Sequence, residues 1–442
     1  MSLNKVIIGD LVEEFSIKAK EINDYSSYEF LGVSNDDGIT MSKYAAQDKA
    51  DEYKVIEKGC FAYNPYRINV GSIAYLTEDV RGLISPAYVV FKTKRESIIP
   101  ELLLKFLKSY EGLRQIKLHA RGTVRQALRF KDLCKINLTI PDYNDQKNLY
   151  KKISTVENET INFNKEIDNQ LKLVAQLRHA FLCEAMRGNL VAQNSNDEPA
   201  SELLKIIKAE KEKLIAEGKL KKQNSLPEIK LEEIPYEIPK GWMWCRLGEI
   251  GNLKRGKSKY RPRNAEILFE HGKYPFIQTG DVSRAKFTND IITTINSYYN
   301  DFGLRQSEIQ KKGTLCITIA AHIAECGFLG FDSCVPDSIV CFVALNKTIE
   351  KYIYYYVKVA KEELEKFAPA TAQKNINLGI LNILAIPFPS LAEQQRIVSK
   401  LEQLMQLCDD LEKIITQSRE QTNLLLHAVL RETLEERIER IN

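Results

Sequence analysis

The sequence predicts an α+β protein in which two mixed α/β domains are joined by two long antiparallel coiled-coil helices, an internal pseudo-two-fold repeat. Three observations predict it. A shift of 248 residues lays one stretch of chain on another without a gap. Each copy carries apolar residues at heptad spacing over about 45 residues. The segment in front of each copy reads as short strands broken by Gly, Pro and Asp turns.

The repeat comes first, because it decides everything downstream. Under the 248 shift Leu128, Phe130, Leu133, Ile136 and Leu138 meet Ile376, Leu378, Leu381, Leu384 and Ile386. Pro141 meets Pro389, Gln146 meets Gln394, and His179-Ala180-Phe181-Leu182 meets His427-Ala428-Val429-Leu430. Looser echoes precede it at changing offsets: Ile8-Gly9-Asp10-Leu11 with Leu247-Gly248-Glu249-Ile250, Tyr28–Leu31 with Tyr274–Ile277, and Lys58-Gly59 with Lys312-Gly313. The front of each copy has drifted in loop length. The expected boundaries are 1–142 for the first mixed domain, 143–190 for a central long helix, and 191–240 for a linker with a short charged helix. The second mixed domain follows at 241–389, and the C-terminal long helix at 390–442.

The heptad seam of the first helix takes a at Leu149, Val156, Phe163, Gln170 and Leu177, and d at Ile153, Thr160, Ile167, Val174 and Phe181. In the second helix a falls at Ile397, Leu404, Leu411, Ser418 and Leu425, and d at Leu401, Cys408, Ile415, Thr422 and Val429. Neither helix contains proline, and Pro141 and Pro389 stand just before them, where proline punctuates. About 45 residues at 1.5 Å each make a rod of roughly 65–70 Å. The same seam twice favours mutual packing, with the two helices antiparallel. In the mixed domains, Val33–Ile39, Gly71–Leu76, Ala87–Lys92, Leu315–Ala320 and Ile339–Leu345 read as strands. Glu101–Gln115, Ser201–Glu217 and Tyr352–Phe367 read as helices, 218–227 as an exposed linker, and Trp242 and Trp244 as core anchors in a strand.

Composition excludes several classes. With 44% hydrophobic and 28% charged residues, the chain is an ordinary globular one. Leu315–Phe331 is interrupted by His322 and Glu325 and cannot span a membrane, and the N-terminal apolar run is too short for a secretory signal. Nine cysteines without a CxxC pair, and five histidines none of which lies near a cysteine at zinc spacing, predict reduced thiols in a cytoplasmic protein without a zinc site. Net charge is only +4, but it is unevenly placed. Lys254, Arg255, Lys257, Lys259, Arg261 and Arg263 form one run without an acid; Arg114, Lys117, Arg121, Arg125, Arg129 and Lys131 form another. Two such runs point to phosphate contacts.

Several catalytic motifs match by letter and fail on context. Gly251–Ser258 fits GxxxxGK[ST], whose Lys-Ser pair must open a helix to cradle phosphates; Pro262 and further cations follow instead. Asn64-Pro65-Tyr66 resembles an amino-methyltransferase motif, without the glycine loop for the methyl donor. Pro141-Asp142 with Asp145-Gln-Lys147 suggests a nuclease, but metal chemistry needs its carboxylates on separate strands, whereas these crowd into one loop.

Three segments carry a family resemblance: Tyr236-Glu-Ile-Pro-Lys-Gly-Trp-Met-Trp-Cys-Arg-Leu-Gly-Glu-Ile250, Ala209–Lys222, and Ile386-Pro-Phe-Pro-Ser-Leu-Ala-Glu-Gln-Gln-Arg-Ile-Val398. On these the chain resembles the specificity subunit of type I restriction–modification systems over essentially its whole length. The first copy departs at Pro141–Lys147, which lacks the Glu-Gln-Gln run. The resemblance implies two target-recognition domains, each reading half of a bipartite site in double-stranded DNA, with the helices as ruler. It implies no catalysis in this chain. Two modification subunits would carry S-adenosylmethionine, and restriction subunits would bring ATP and magnesium.

The matched loops Arg121-Gly-Thr123-Val-Arg125-Gln126 and Ala370-Thr371-Ala-Gln373-Lys374-Asn375 have fitting chemistry, since Arg suits guanine and Gln or Asn suits adenine. Residues 362–379 hold three glutamates and two lysines, so the second domain is expected to draw its positive charge from Lys254, Arg255, Lys257, Lys259 and Arg261. Two other readings stay open: a stand-alone nucleotide- or S-adenosylmethionine-dependent DNA enzyme, and a coiled-coil scaffold.

Overall fold

A computed structural model describes residues 3–35, 37–42, 47–122, 125–221, 224–366 and 375–434. The fold is α+β, and the chain divides into two compact units. The first takes Met1–Asp168 with Thr416–Asn442, the second Asn169–Ile415. Each unit therefore holds one mixed domain and a part of both long helices.

In the first unit Leu3–Ile7 pairs antiparallel with Asn137–Pro141, the strand that feeds the first long helix. Ile8–Leu11 makes one helical turn before a four-stranded antiparallel sheet. Its order is Val12–Glu14, Val89–Thr93, Cys60–Tyr63, Ile73–Tyr75. The second unit repeats this plan. Met243–Arg246 pairs with Ala385–Phe388, and Leu247–Ile250 is the helical turn. Gly251–Arg255, Ile339–Ala344, Leu315–Thr318 and Cys326–Leu329 follow in the same order, and Ile291–Ile292 adds a parallel fifth strand. The first unit also carries a second sheet of Gly38–Met41, Glu29–Ser34, Arg81–Ile84 and Lys54–Glu57.

Local chemistry moves three elements from their expected places. Val33–Ile39 is not one strand but a hairpin, with Ser34 paired to Gly38; Gly38 takes φ +75°, a conformation glycine adopts without cost. The helix expected over Glu101–Gln115 is two, Pro100–Lys108 and Tyr110–His119. Ser109 caps the second, its hydroxyl accepting from the Gly112 N–H at 3.2 Å. Any side chain at Gly112 would strike the Phe106 carbonyl. In the second domain the helix starts at Lys347 rather than Tyr352, because Asn346 caps it through the Ile349 N–H.

The long helices, Tyr143–Met186 and Leu391–Leu434, begin one repeat shift apart. In the first unit Asn164 donates to Asn423 at 3.3 Å, while Asp168, a turn later, meets Arg419, a turn earlier. In the second unit Arg178 holds Asp409 at 2.6 Å and Glu412 at 2.8 Å. Further along, Leu182, Ala185 and Met186 share a core with Ile397, Val398 and Leu401. Partners descend as the first helix ascends, so the helices run antiparallel within each unit.

The seam is asymmetric. The d positions Ile153, Thr160, Ile167, Val174, Leu401 and Cys408 are buried, with Ile397. Leu149, Val156, Leu404 and Ile415 are half-buried. Phe163, Leu177, Leu411 and Leu425 are exposed. Two helices enclose one row between them and leave the other at the rim, except where a domain covers it, as at Ile397.

Residues 191–240, expected as a linker, are docked on the second unit over much of their described length. Helix Ala200–Ala216 buries Ala200, Leu203 and Ile207. Lys211 donates to the carbonyls of Gly248 at 2.6 Å and Gly251 at 2.9 Å. Two residues past the end of the first long helix stands Gly188, which takes φ +78° and sits against Pro239, where a side chain would clash.

The Glu-Gln-Gln run is a buckle. Glu393 accepts from Trp242 Nε1 at 2.8 Å and from Gln193 at 2.5 Å. Gln394 donates to the Pro389 carbonyl at 3.0 Å, as Gln146 does to Pro141. Arg396 pairs with Asp197 at 2.6 Å. Burial holds the Glu393 carboxyl above its ordinary pKa, against the pull of those donors. Trp242→Phe keeps an aromatic ring but removes the donor together with the buried pyrrole part of the indole. Hydrogen bonds to charged groups are worth about 1.5–3 kcal/mol, so denaturant unfolding of the variant is expected to show a loss of that size. Unchanged stability would mean that the indole bond contributes nothing.

Candidate nucleic-acid interface

In the first unit the basic run is divided: Arg114 and Lys117 stand on helix Tyr110–His119, Lys131 on the turn Phe130–Leu133, and Arg121 and Arg125 on a closed loop between them. Arg121 and Ala127 exchange both backbone hydrogen bonds, at 3.0 and 2.8 Å. Gly122 takes φ +138°, and a side chain there would meet the Arg125 carbonyl at 2.2 Å. Arg121 leans on Asp132 at 3.5 Å, which Lys135 also holds at 2.7 Å. The Lys135 ammonium, more than Arg121, draws the Asp132 carboxyl below its usual pKa. Arg125 and Gln126 are exposed, and among the described residues neither side chain is paired. Thr123 lies outside the described residues.

In the second unit the run begins in the edge strand Gly251–Arg255, with Lys254 and Arg255, and continues past its end. Gly256 and Lys257 donate backbone hydrogen bonds to Ile339 and Val335, each at 2.9 Å, so the Lys257-Ser258 pair is extended and opens no helix. Gly256 is needed for packing: a side chain would meet the Pro336 carbonyl at 2.3 Å. Ser258 is buried beside Tyr299. The letters of a phosphate loop are thus used to lay a strand end onto its neighbour. Asn64 is similarly engaged, its side chain accepting the Tyr66 N–H at 3.0 Å in a local turn. Asp145 and Lys147 stand on the long helix itself rather than in a loop.

Two carboxylates absorb most of this run. Glu308 takes Lys254 and, at 2.6 Å, Lys257. Asp337 takes Arg261 at 3.1 Å and Arg263 at 2.6 Å. The hydrogen bond from Lys254, then that from Lys257, lowers the Glu308 pKa. Arg255 donates to the Asp337 carbonyl at 2.5 Å. The Lys259 side chain is exposed and, among the described residues, unpaired.

Beside the run lies a cleft of about 600 Å³, lined by Arg263, Asn264, Phe276, Gln278, Asn296 and Tyr298 among others. A second recess of about 360 Å³ shares Arg263, Thr279 and Ser338 with it and extends to Arg255, Ala321 and Asn375. The sequence reading missed Asn264, Gln278 and Asn296, because single polar residues in separate loops form no pattern until the fold gathers them. Thr371, Gln373 and Lys374 lie outside the described residues. Asn375, which follows them, bridges to Ala320 at the recess. Among the described residues no group of three His, Cys, Asp or Glu is placed to hold a metal, and no helix is long and apolar enough to cross a membrane.

The family described as type I restriction modification DNA specificity domain matches residues 4–173 and again 239–420. The chain belongs to that family. Among specificity-domain relatives it is similar to the type I restriction enzyme EcoAI specificity subunit of Escherichia coli, 34% identical over 272 residues. That match covers 57% of this chain and 43% of the relative, so the chain spans less than half of that relative's length. The EcoDI specificity subunit of the same organism is 23% identical over 351 residues, covering 76% of this chain and 71% of its own.

Two solved structures share the fold. One is a chain from a study of complex assembly and conformational transition of the type I R-M system, with TM-score 0.66 at 18% identity, covering 98% of this chain and 97% of that one. The other is the HsdS subunit from Thermoanaerobacter tengcongensis, with TM-score 0.59 at 19% identity, covering 98% and 96%.

Proposed function

We propose that this specificity-domain chain is the non-catalytic DNA-reading subunit of a type I restriction–modification complex in the cytoplasm. Each mixed domain reads one half of a bipartite target. The paired helices dock two modification subunits, which hold S-adenosylmethionine and methylate adenine, and restriction subunits complete the assembly with ATP and magnesium. The observation that carries this reading is the duplicated domain, matched twice by one DNA-specificity family. The exposed apolar seam residues, Phe163 and Leu425 in the first unit and Leu177 and Leu411 in the second, support docking on each unit's helices, since exposed apolar side chains can mark interaction sites. The burial of Ser258 weighs against a nucleotide site in this chain.

The test is domain replacement. Residues 241–389 are exchanged for the equivalent segment of a relative, and the methylated adenines are sequenced in cells carrying the partner subunits. One half of the methylated motif is expected to change while the other half stays. A change in both halves, or in neither, contradicts two independent readers. Lys259→Ala, by contrast, is expected to lower affinity for all sequences alike and to flatten the log–log salt dependence of binding by about one. An unchanged salt slope would remove Lys259 from the phosphate contacts.

A further inference from the structure

The basic run of the second unit is poorly placed to choose bases. Four of its six cations are held by Glu308 and Asp337, and a cation so held can shift toward a phosphate but is not free to frame a guanine edge. The adjoining groove has the opposite character. No Asp or Glu lines either recess among the described residues. The side chains of Asn264, Asn296 and Asn375 are exposed there, and among the described residues none has a hydrogen-bond partner. Reading adenine through N6 and N7 takes both the oxygen and the nitrogen of one amide. Among the described residues, these three amides keep both free. Gln278 is partly committed, since one of its two Nε2 hydrogens goes to Ser297 at 3.1 Å. Phe276 and Tyr298 add an apolar wall, which suits the methyl group of the paired thymine.

We propose that Asn264, Asn296 and Asn375 are specificity-determining residues that read A·T pairs in the half-site of the second domain, while the 254–263 run holds the backbone. This rests on the DNA-reading function proposed above. The three amides come from separate loops, so they read separate positions. The groove and the run divide the work as base contacts and phosphate contacts usually do.

The experiment uses the full chain with its partner subunits. Asn264→Ala, Asn296→Ala and Asn375→Ala are made singly. For each, the methylated motif is sequenced, and binding is measured on duplexes substituted one base pair at a time. All three sites are exposed, so folding is expected to survive, and thermal unfolding checks it. Each variant is expected to relax one A·T position in the half that domain replacement assigns to residues 241–389, with discrimination there falling about 5- to 150-fold. The other half and the spacing stay unchanged. A native half-site with fewer than three A·T pairs overturns the proposal. So do three variants with the wild-type motif, or a uniform loss of binding without relaxation at any position. A domain replacement that switches no half-site would instead overturn the functional reading itself.

Discussion

Leu401→Asp is expected to unfold the second unit, while Leu411→Asp on the same helix is expected to be tolerated. Leu401 is fully buried, packed in one core with the end of the first long helix and the domain behind it. A carboxylate there loses the leucine's apolar burial and gains an uncompensated charge, which costs about 3–5 kcal/mol when no partner exists. Domains have only about 5–15 kcal/mol in total, so thermal unfolding should shift by many degrees or the chain should become insoluble. Leu411 is 36% exposed, and a charge on the rim can stay hydrated; surface changes usually fall within about 0.5 kcal/mol. Equal losses for the two variants would mean that both rows are enclosed in solution and that the exposed row is not free to receive a partner.

Arg246→Leu is the second large effect. Arg246 is 2% exposed and spends its guanidinium on one neighbourhood. Nε donates to the Pro227 carbonyl at 3.1 Å, and Nη2 to that of Glu228 at 2.9 Å. Both Nη atoms grip Glu233, and Nη1 also reaches the Ile383 carbonyl. The side chain thus ties the descending segment 227–233 to the end of the domain. Removing one member of a buried charge pair costs about 3–5 kcal/mol, and the partial exposure of Glu233 puts this case at the lower end. Acid provides a separate readout. The bonds from Arg246, foremost, hold the Glu233 carboxyl down to about 2 from an ordinary 4.5. A depressed carboxyl adds stability that is present above its unfolded pKa and lost as pH falls through the folded one. Wild type should therefore lose this contribution between about pH 4.5 and pH 2, and Arg246→Leu should lack that part of the decline. An identical acid limb in both proteins would show that the pair does not form.

The repeat made the large-scale fold legible. One offset located both long helices, and the weak echo of Ile8–Leu11 with Leu247–Ile250 proved to be the same helical turn in each domain. Apolar periodicity is a local property that survives whatever the loops do. The failures lie where a single polar residue redirects the backbone: Ser109 and Asn346 each cap a helix that periodicity would have run through or begun late. The candidate interface was legible as charge and not as geometry. The cations at 254–263 stand out because they are contiguous, whereas Glu308 and Asp337, which occupy them, are 45 or more residues away in sequence. The amides of the groove were invisible for the same reason.

The closing strand pair of each domain has a further consequence. Leu3–Ile7 lies against Asn137–Pro141, and Met243–Arg246 against Ala385–Phe388. Entrance and exit of each domain are thus hydrogen-bonded neighbours, and everything between them hangs from that clasp as a cassette. An insertion inside the cassette lengthens a loop without displacing the helix that leaves it, and lengthening a loop costs little. The changing offsets inside the cassette, and the single offset from Leu128 through the exit strand and the helix behind it, are the record of that freedom. Such a domain can exchange its loops wholesale while the register of the helices stays where it was.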